Sequence, residues 1–219
     1  MTSRPKNAEP RPQPRLYLVT PAIADAPAFA ATLAEALAAG DVAAVLLHLA
    51  PGDERTQINC TKALATVAQN RDVALLLDGH AELVARAGAD GAHLTGIDAF
   101  NDAIEQLKPE RIVGAGGVTT RHDAMSAAEA GADYVMFGEP DANGDRPSFE
   151  AIEERVAWWA EVFEAPCVAY AASLDEVAPL VAAGADFVAL GDWIWRDPKT
   201  VAATIAATAP YLRLPEGAA

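Results

Sequence analysis

Histidines and aspartates stand at the ends of predicted buried strands, where their side chains could exchange protons with a ligand. His48 follows one apolar run, Asp78 ends another, and His80 comes two residues later. Imidazole titrates near neutral pH and is a common general acid or base, and a nearby carboxylate favours its protonated form. We therefore predict that His48, Asp78 and His80 are catalytic residues.

Other polar or glycine residues at strand ends are candidates for binding a ligand. His93 lies within a predicted strand and is either a ligand contact or a buried core residue. Gly116 and Gly117 close a glycine-rich turn, which could hold phosphate on backbone N–H groups or serve only as a tight turn. Tyr170 and Asp192 follow two later strands, and the charge of Asp192 disfavours a phosphate beside it. We predict that all five contact the ligand.

Two aspartates on adjacent strand ends could share a metal ion. Asp78 and Asp98 offer carboxylate oxygens, which Mg²⁺ prefers, although Asp98 could instead cap the following helix. A barrel brings neighbouring strand ends together. We therefore expect one pocket, with Asp192 on its opposite wall, to contain His48, Asp78, His80 and Asp98.

A repeated phrase indicates which elements position these residues. Ala-Gly-Ala-Asp occurs at 87–90, 130–133 and 183–186, each time between an Ala-rich helical stretch and a short apolar run. Glycine suits the left-handed end of a helix, and aspartate suits the turn that follows. Such β/α repeats predict an α/β protein with a single (β/α)8 TIM barrel, whose site lies at the carboxyl ends of its strands. The three copies should lie at the opposite face, before strands four, six and eight.

The apolar runs and the stretches between them give the bounds of these elements. The predicted strands are 16–21, 43–49, 73–77, 92–94, 111–115, 134–137, 167–171 and 187–190. The predicted helices are 27–39, 53–69, 81–87, 99–107, 121–130, 148–163, 174–183 and 200–212. The strands are continuously apolar, as expected for strands that are covered on both faces.

Composition limits the function classes. The chain has 219 residues, of which 52% are hydrophobic, and a formal net charge of -15. It has no Lys/Arg cluster for nucleic acid and no apolar run that could span a membrane. We expect a cytoplasmic protein that binds a small molecule. Residues 1–14 are predicted to be a disordered Pro-rich tail and 15–213 the barrel. The adjacent aromatic residues Trp158 and Trp159 could form the interface of a homodimer.

The chain resembles the thiamine phosphate synthase/TenI superfamily over about residues 15 to 212. The segment 82–94, Glu-Leu-Val-Ala-Arg-Ala-Gly-Ala-Asp-Gly-Ala-His-Leu, is similar to the family's "ELA…ADGIHIG". The segment 131–140, Gly-Ala-Asp-Tyr-Val-Met-Phe-Gly-Glu-Pro, is similar to "GADYVGLGPI". The resemblance implies the barrel, thiamine biosynthesis and Mg²⁺ as the cofactor.

The resemblance also shows departures from the family's site. Leu46, His48 and Ala50 stand where the family has the Gln, Arg and Lys that grip pyrophosphate, and Gly79 stands where it has a metal-binding Asp. The family's metal-binding Asp after strand four is kept as Asp98. The resemblance implies that Arg146 replaces the Lys after strand six, whereas Ala171 and Ala172 replace the phosphate-binding glycines.

Three interpretations of the function follow. The first is a divergent family enzyme, either the synthase that joins pyrimidine pyrophosphate to thiazole phosphate or a TenI-like enzyme that transfers protons on the thiazole phosphate. The second is a barrel without catalysis that binds or regulates. The third is an enzyme with a non-phosphorylated substrate that uses Asp78, Tyr170 and Asp192. A fold alone does not decide among them.

Overall fold

The computed structural model of the chain describes residues 11–214 and shows one closed barrel of eight parallel strands. Each strand pairs with the next along the sequence, and the last pairs with the first. The strands are β1 (Arg15–Val19), β2 (Val42–Leu47), β3 (Ala74–Asp78), β4 (Gly91–Thr95), β5 (Ile112–Gly116), β6 (Tyr134–Phe137), β7 (Cys167–Ala171) and β8 (Phe187–Leu190). The predicted (β/α)8 barrel is confirmed.

A helix follows each strand. The helices are α1 (Ala26–Ala38), α2 (Glu54–Gln69), α3 (Val84–Ala87), α4 (Ile97–Leu107), α5 (Arg121–Glu129), α6 (Phe149–Val162), α7 (Val177–Ala183) and α8 (Val201–Ala206). The predicted helix 81–87 divides into a 3-10 turn and α3, and 174–183 divides in the same way before α7. The helix predicted to reach 212 ends at Ala206, and Pro210 disfavours helical backbone at the residue before it.

The first described residues of the chain lie against the third Ala-Gly-Ala-Asp segment, at residues 183–186. Arg11 contacts the carbonyl of Gly184 and pairs with Asp186 at 3.1 Å, and Gln13 accepts the N–H of Leu214 at 3.1 Å. Residues 11–14 of the predicted tail therefore make contacts with the barrel, whereas residues 1–10 lie outside the described residues. Within 11–214, no helix is long and apolar enough to cross a membrane.

The three Ala-Gly-Ala-Asp copies enter β4, β6 and β8 as predicted, and their aspartates tie neighbouring strands together. Each aspartate accepts the backbone N–H of a residue in the preceding strand and donates its own N–H to the carbonyl of the same residue. The carboxylate bonds join Asp90 to Leu75 at 2.7 Å, Asp133 to Val113 at 2.7 Å and Asp186 to Cys167 at 2.8 Å. The repeat thus sets the register of three strand pairs at the amino-terminal face.

We expect Asp133→Ala to lower the free energy of unfolding by about 1–3 kcal/mol, because it leaves the buried N–H of Val113 without its charged acceptor. The ion pair with Lys108 is partly exposed and adds little. Urea unfolding measures the difference. Asp102→Ala, on the exposed face of α4, is the matched control. A loss no larger than that of the control would contradict this role.

Side chains divide the core into two parts. The larger part lies between the strands and the helices and includes Trp159, which is fully buried and donates its indole N–H to the carbonyl of Ala165 at 2.7 Å. The smaller part fills the barrel interior and contains three tyrosines, Tyr17, Tyr134 and Tyr170. Trp158 lies under the guanidinium of Arg121, 4.6 Å from the ring centre. A homodimer through this helix remains a prediction.

Candidate functional site

A cavity of about 600 Å³ opens at the carboxyl ends of the strands. Its polar lining comes from residues at the ends of six different strands, which the barrel brings together. These are His48, Asp78, His93, Glu139, Tyr170 and Asp192, and Thr95 and Asp141 complete the polar lining. The cavity is therefore the candidate functional site, and it contains five of the residues predicted from the sequence.

His48 and Asp78 form the accessible imidazole–carboxylate contact of this cavity. The imidazole Nε2 lies 3.4 Å from Oδ2 of Asp78, and about one third of each side chain is exposed. The backbone N–H of His48 donates to the hydroxyl of Thr20 at 3.1 Å, which fixes the end of β2 against β1. The pair is held in place and remains open to a ligand.

A chain of four hydrogen-bonded side chains, here called the polar chain, runs from the barrel centre to the cavity. The hydroxyls of Tyr17 and Tyr134 lie 2.8 Å apart, and that of Tyr134 lies 3.0 Å from Nδ1 of His93. Nε2 of His93 lies 3.0 Å from Oε2 of Glu139. Of its members, His93 and Glu139 line the cavity, and Glu139 is the more exposed, with 16% of its side chain exposed against 1% for His93.

Glycines in β5 and after it make room for the polar chain. A Cβ on Gly114 would overlap the ring of Tyr134, and a Cβ on Gly116 would overlap both the carboxylate of Glu139 and the imidazole of His93. The N–H of Gly117 donates to Oε1 of Glu139. The glycine-rich turn, for which the sequence left phosphate binding or only a tight turn open, thus donates a backbone N–H to a carboxylate.

Sequence reasoning did not select Glu139, Tyr17 or Tyr134. The residues of the polar chain come from β1, β4, β6 and the loop after β6, so their contacts join positions far apart in the sequence. The one local signal is the alternation of Gly114 and Gly116, both of which face the barrel interior. Small residues at two successive inward positions indicate that large side chains from neighbouring strands fill the space.

Tyr170 and Asp192 form another wall of the cavity. Burial raises the pKa of the Tyr170 hydroxyl, and the nearby carboxylate of Asp192 raises that pKa further. A Cβ on Gly191 would overlap the Tyr170 hydroxyl, so this glycine is needed for the ring to reach its position. Both predicted residues therefore line the cavity.

His80 and Asp98 do not line the cavity, which corrects the predicted convergence. His80 follows β3 in the left-handed region, with a φ of 38°, and its imidazole lies 3.3 Å from Oε1 of Glu82. Asp98 is exposed in the first turn of α4, whose N-cap is Gly96, and its side chain makes no capping bond. A carboxylate in the first turn of a helix interacts favourably with the helix dipole.

Arg146 is engaged within the protein. Its guanidinium bonds both carboxylate oxygens of Glu176, at 3.1 and 3.0 Å, and the carbonyls of Gly138 and Tyr170. It borders an adjoining cavity of about 420 Å³, which also contains Thr119 and Arg155. The predicted replacement for the family's Lys is therefore mainly a cross-link between the segments after β6 and β7.

The large cavity is acidic. Its described lining contains no Lys or Arg, but it contains four carboxylates, those of Asp78, Glu139, Asp141 and Asp192. Among residues 11–214, no three His, Cys, Asp or Glu side chains are grouped closely enough to hold a metal ion. Of the predicted Mg²⁺ pair, Asp78 lines the cavity and Asp98 does not.

Burial by itself lowers the pKa of His93. The charge of Glu139, its hydrogen bond to the imidazole and the charge of Asp78 outweigh burial, so the pKa of His93 is raised above 6.5. A raised pKa in the folded state gives a stabilisation that is full below about pH 6.5 and is lost as pH rises through the raised value.

We therefore expect the free energy of unfolding of the parent to fall as pH rises above about 6.5 through the raised pKa of His93, and to fall less in Glu139→Gln, which lacks the charge. Urea unfolding at a series of pH values measures both. If the free energy of unfolding fell equally steeply with pH in both proteins, the pH dependence could not be assigned to the His93–Glu139 pair.

Comparison with known proteins identifies relatives that cover almost the whole barrel. A family model described as thiamine monophosphate synthase matches residues 16–194. A thiamine-phosphate synthase of Rhodospirillum centenum is 43% identical over 195 residues, which are 88% of this chain and 94% of that protein. The corresponding protein of Hyphomonas neptunium is 39% identical over 209 residues, 91% of this chain and 94% of its own length.

Solved structures agree on the fold. A thiamine phosphate pyrophosphorylase from Pyrococcus furiosus superposes with a TM-score of 0.74 at 21% identity, covering 92% of this chain and 96% of that one. A 3-hexulose-6-phosphate synthase from Salmonella typhimurium reaches 0.68 at 18% identity, covering 90% and 100%. At these identities the likeness concerns the barrel alone.

Proposed function

The chain belongs to the thiamine monophosphate synthase family, and from this premise we propose that it is a thiamine-phosphate synthase, which joins pyrimidine pyrophosphate to thiazole phosphate. The observation that carries the proposal is the match over nearly the full length of relatives with that name. The position of the cavity supports it, because barrels of this kind place their chemistry at the carboxyl ends of the strands.

The charges around the two adjoining cavities suggest how a substrate would lie. In the family reaction the bond between the pyrimidine methylene and pyrophosphate breaks, and a carbocation remains that the thiazole nitrogen captures. Carboxylates stabilise positive charge that develops nearby. The acidic cavity with Asp78 and Asp192 therefore suits the pyrimidine. The neighbouring cavity contains Glu139, Asp141 and Asp145, but it also contains Arg146 and Arg155, the nearest cations for the departing pyrophosphate. Mg²⁺ would have to come with the pyrophosphate.

Incubation of the purified chain with both substrates and Mg²⁺ tests the proposal, with thiamine phosphate followed by mass spectrometry. Asp78→Asn and His48→Ala should each lower kcat/KM by about a hundredfold if the pair contacts the reacting groups. Asp102→Asn is the control for the carboxylate change. Arg155→Gln should raise KM for the pyrophosphate substrate, with exposed Arg71→Gln as its control. A parent without product would overturn the proposal.

A second candidate function is proton transfer on the thiazole phosphate alone. The observation that favours it is that two imidazole–carboxylate pairs, His48 with Asp78 and His93 with Glu139, border one cavity. Conversion of thiazole phosphate to an isomer without condensation would support this candidate over the synthase. Binding of the same compounds without any turnover would instead support a barrel that binds or regulates.

A further inference from the structure

The polar chain ends on a carboxylate, and its internal bonds decide which of its members can meet a ligand. Nδ1 of His93 is bonded to Tyr134 and Nε2 is bonded to Glu139, so both ring nitrogens are used within the chain. The tyrosine hydroxyls lie deeper and are fully buried. The carboxylate of Glu139 is the part of the polar chain that a molecule in the cavity can touch.

The direction of the hydrogen bonds favours a proton acceptor at this end. A carboxylate only accepts, so Nε2 of His93 carries the proton that it shares with Glu139. When the imidazole is neutral, Nδ1 accepts from the Tyr134 hydroxyl, whose oxygen accepts from Tyr17. Every hydroxyl proton of the chain then has an acceptor, and all four side chains are satisfied without water.

Protonation of the imidazole would reverse this order. Nδ1 would then donate to Tyr134, Tyr134 would donate to Tyr17, and the hydroxyl proton of Tyr17 would point to no further acceptor among the described residues. Leaving a buried donor unsatisfied costs free energy. This cost acts against the charge of Glu139, which raises the pKa of His93. In either form of the imidazole both ring nitrogens stay bonded within the chain, so the carboxylate of Glu139 is the place where a proton from the cavity can bind.

We propose that Glu139 is the residue that exchanges a proton with a ligand in this cavity, and that the rest of the polar chain positions its carboxylate. In the step, the X–H bond of the ligand breaks, its electron pair stays on X, and an O–H bond forms on Glu139. The proton returns to another atom of the same ligand or to water. This inference rests on the proposed function because it requires that the cavity bind thiazole phosphate.

The rigid frame around Glu139 supports a positioned base. Oε1 accepts from Gly117 and Oε2 accepts from His93, so both oxygens are fixed, and each keeps a lone pair for a ligand proton. The charged and titratable groups around Glu139 are His93 itself, Asp78 from β3, Asp141 after β6, and three tyrosines, Tyr17, Tyr134 and Tyr170. A base held by such bonds needs no rearrangement when its substrate arrives.

Deuterium exchange tests this role separately from condensation. Thiazole phosphate is incubated with each protein in D₂O, and incorporation into the compound is followed by NMR, while calorimetry gives its Kd. Glu139→Gln should lower the exchange rate by about a hundredfold or more, with Kd within about threefold of the parent. Glu164→Gln, an exposed carboxylate change, should exchange as the parent does.

The tyrosine variant tests the positioning claim. Tyr134→Phe keeps the ring and removes the bond to His93, and it should lower the exchange rate by about tenfold and shift its pH profile. Tyr211→Phe, at an exposed tyrosine, is the matched control. A Glu139→Gln protein that exchanges at the parental rate, or a parent that binds thiazole phosphate without exchange, would overturn the inference. A parent that binds neither substrate would instead overturn the proposed function.

Discussion

Gly91→Ala is expected to lower the free energy of unfolding more than any other single change considered, by about 3 kcal/mol or more. Gly91 begins β4 and pairs with Ile112 of β5. An added Cβ would overlap the backbone carbonyl of Ile112, which is fixed by the closed sheet and cannot move aside as a side chain can. In a domain of this size the melting temperature should fall by about 6 °C or more. Thermal and urea unfolding both measure the change.

The same substitution at Gly52 is the control for this prediction. Gly52 is exposed, its φ is ordinary, and the nearest atom to an added Cβ is the carbonyl oxygen of Ala50 at 3.9 Å. Gly52→Ala should be neutral or slightly stabilising, because alanine restricts the unfolded chain. Equal melting temperatures for the two variants would show that the strand pair can relax around a methyl group.

The fold could be predicted because its signals are local. Each Ala-Gly-Ala-Asp copy contains the end of a helix, a left-handed glycine and the aspartate that bonds the preceding strand, all within four residues. Gly88, Gly131 and Gly184 have φ values of 71°, 103° and 115°, as this conformation requires. The starts of α3 and α7, which follow short 3-10 turns, and the end of α8 were predicted less well, because they depend on packing that no local pattern contains.

The site could be predicted only in part, because its contacts are not local. His48 and Asp78 were found from their positions at strand ends. His80 lies two residues beyond its strand, where a left-handed turn directs it to Glu82, and the sequence pattern does not show this. Glu139 acquires its role from His93, 46 residues away, and from the absence of a side chain at Gly116. A role of this kind depends on three strands that meet only in the closed barrel.

Gly116→Ala is expected to cause the largest functional loss, a fall in turnover of about a hundredfold, together with a fall of about 1–3 kcal/mol in the free energy of unfolding. The added Cβ would occupy the space where Nε2 of His93 meets the carboxylate of Glu139, so the two side chains would have to separate. The carboxylate would then lose its fixed place in the cavity. Steady-state kinetics with the substrates of the proposed reactions measures the loss.

A double-mutant cycle shows whether this loss arises at Glu139. In a Glu139→Ala background the carboxylate is already absent, so Gly116→Ala should cost less stability and almost no further activity. Gly52→Ala in the same background should change neither quantity, which controls for the added methyl group. Fully additive losses would contradict the prediction, because they would mean that Gly116 acts through the backbone of β5 and not through the space that it leaves for the His93–Glu139 pair.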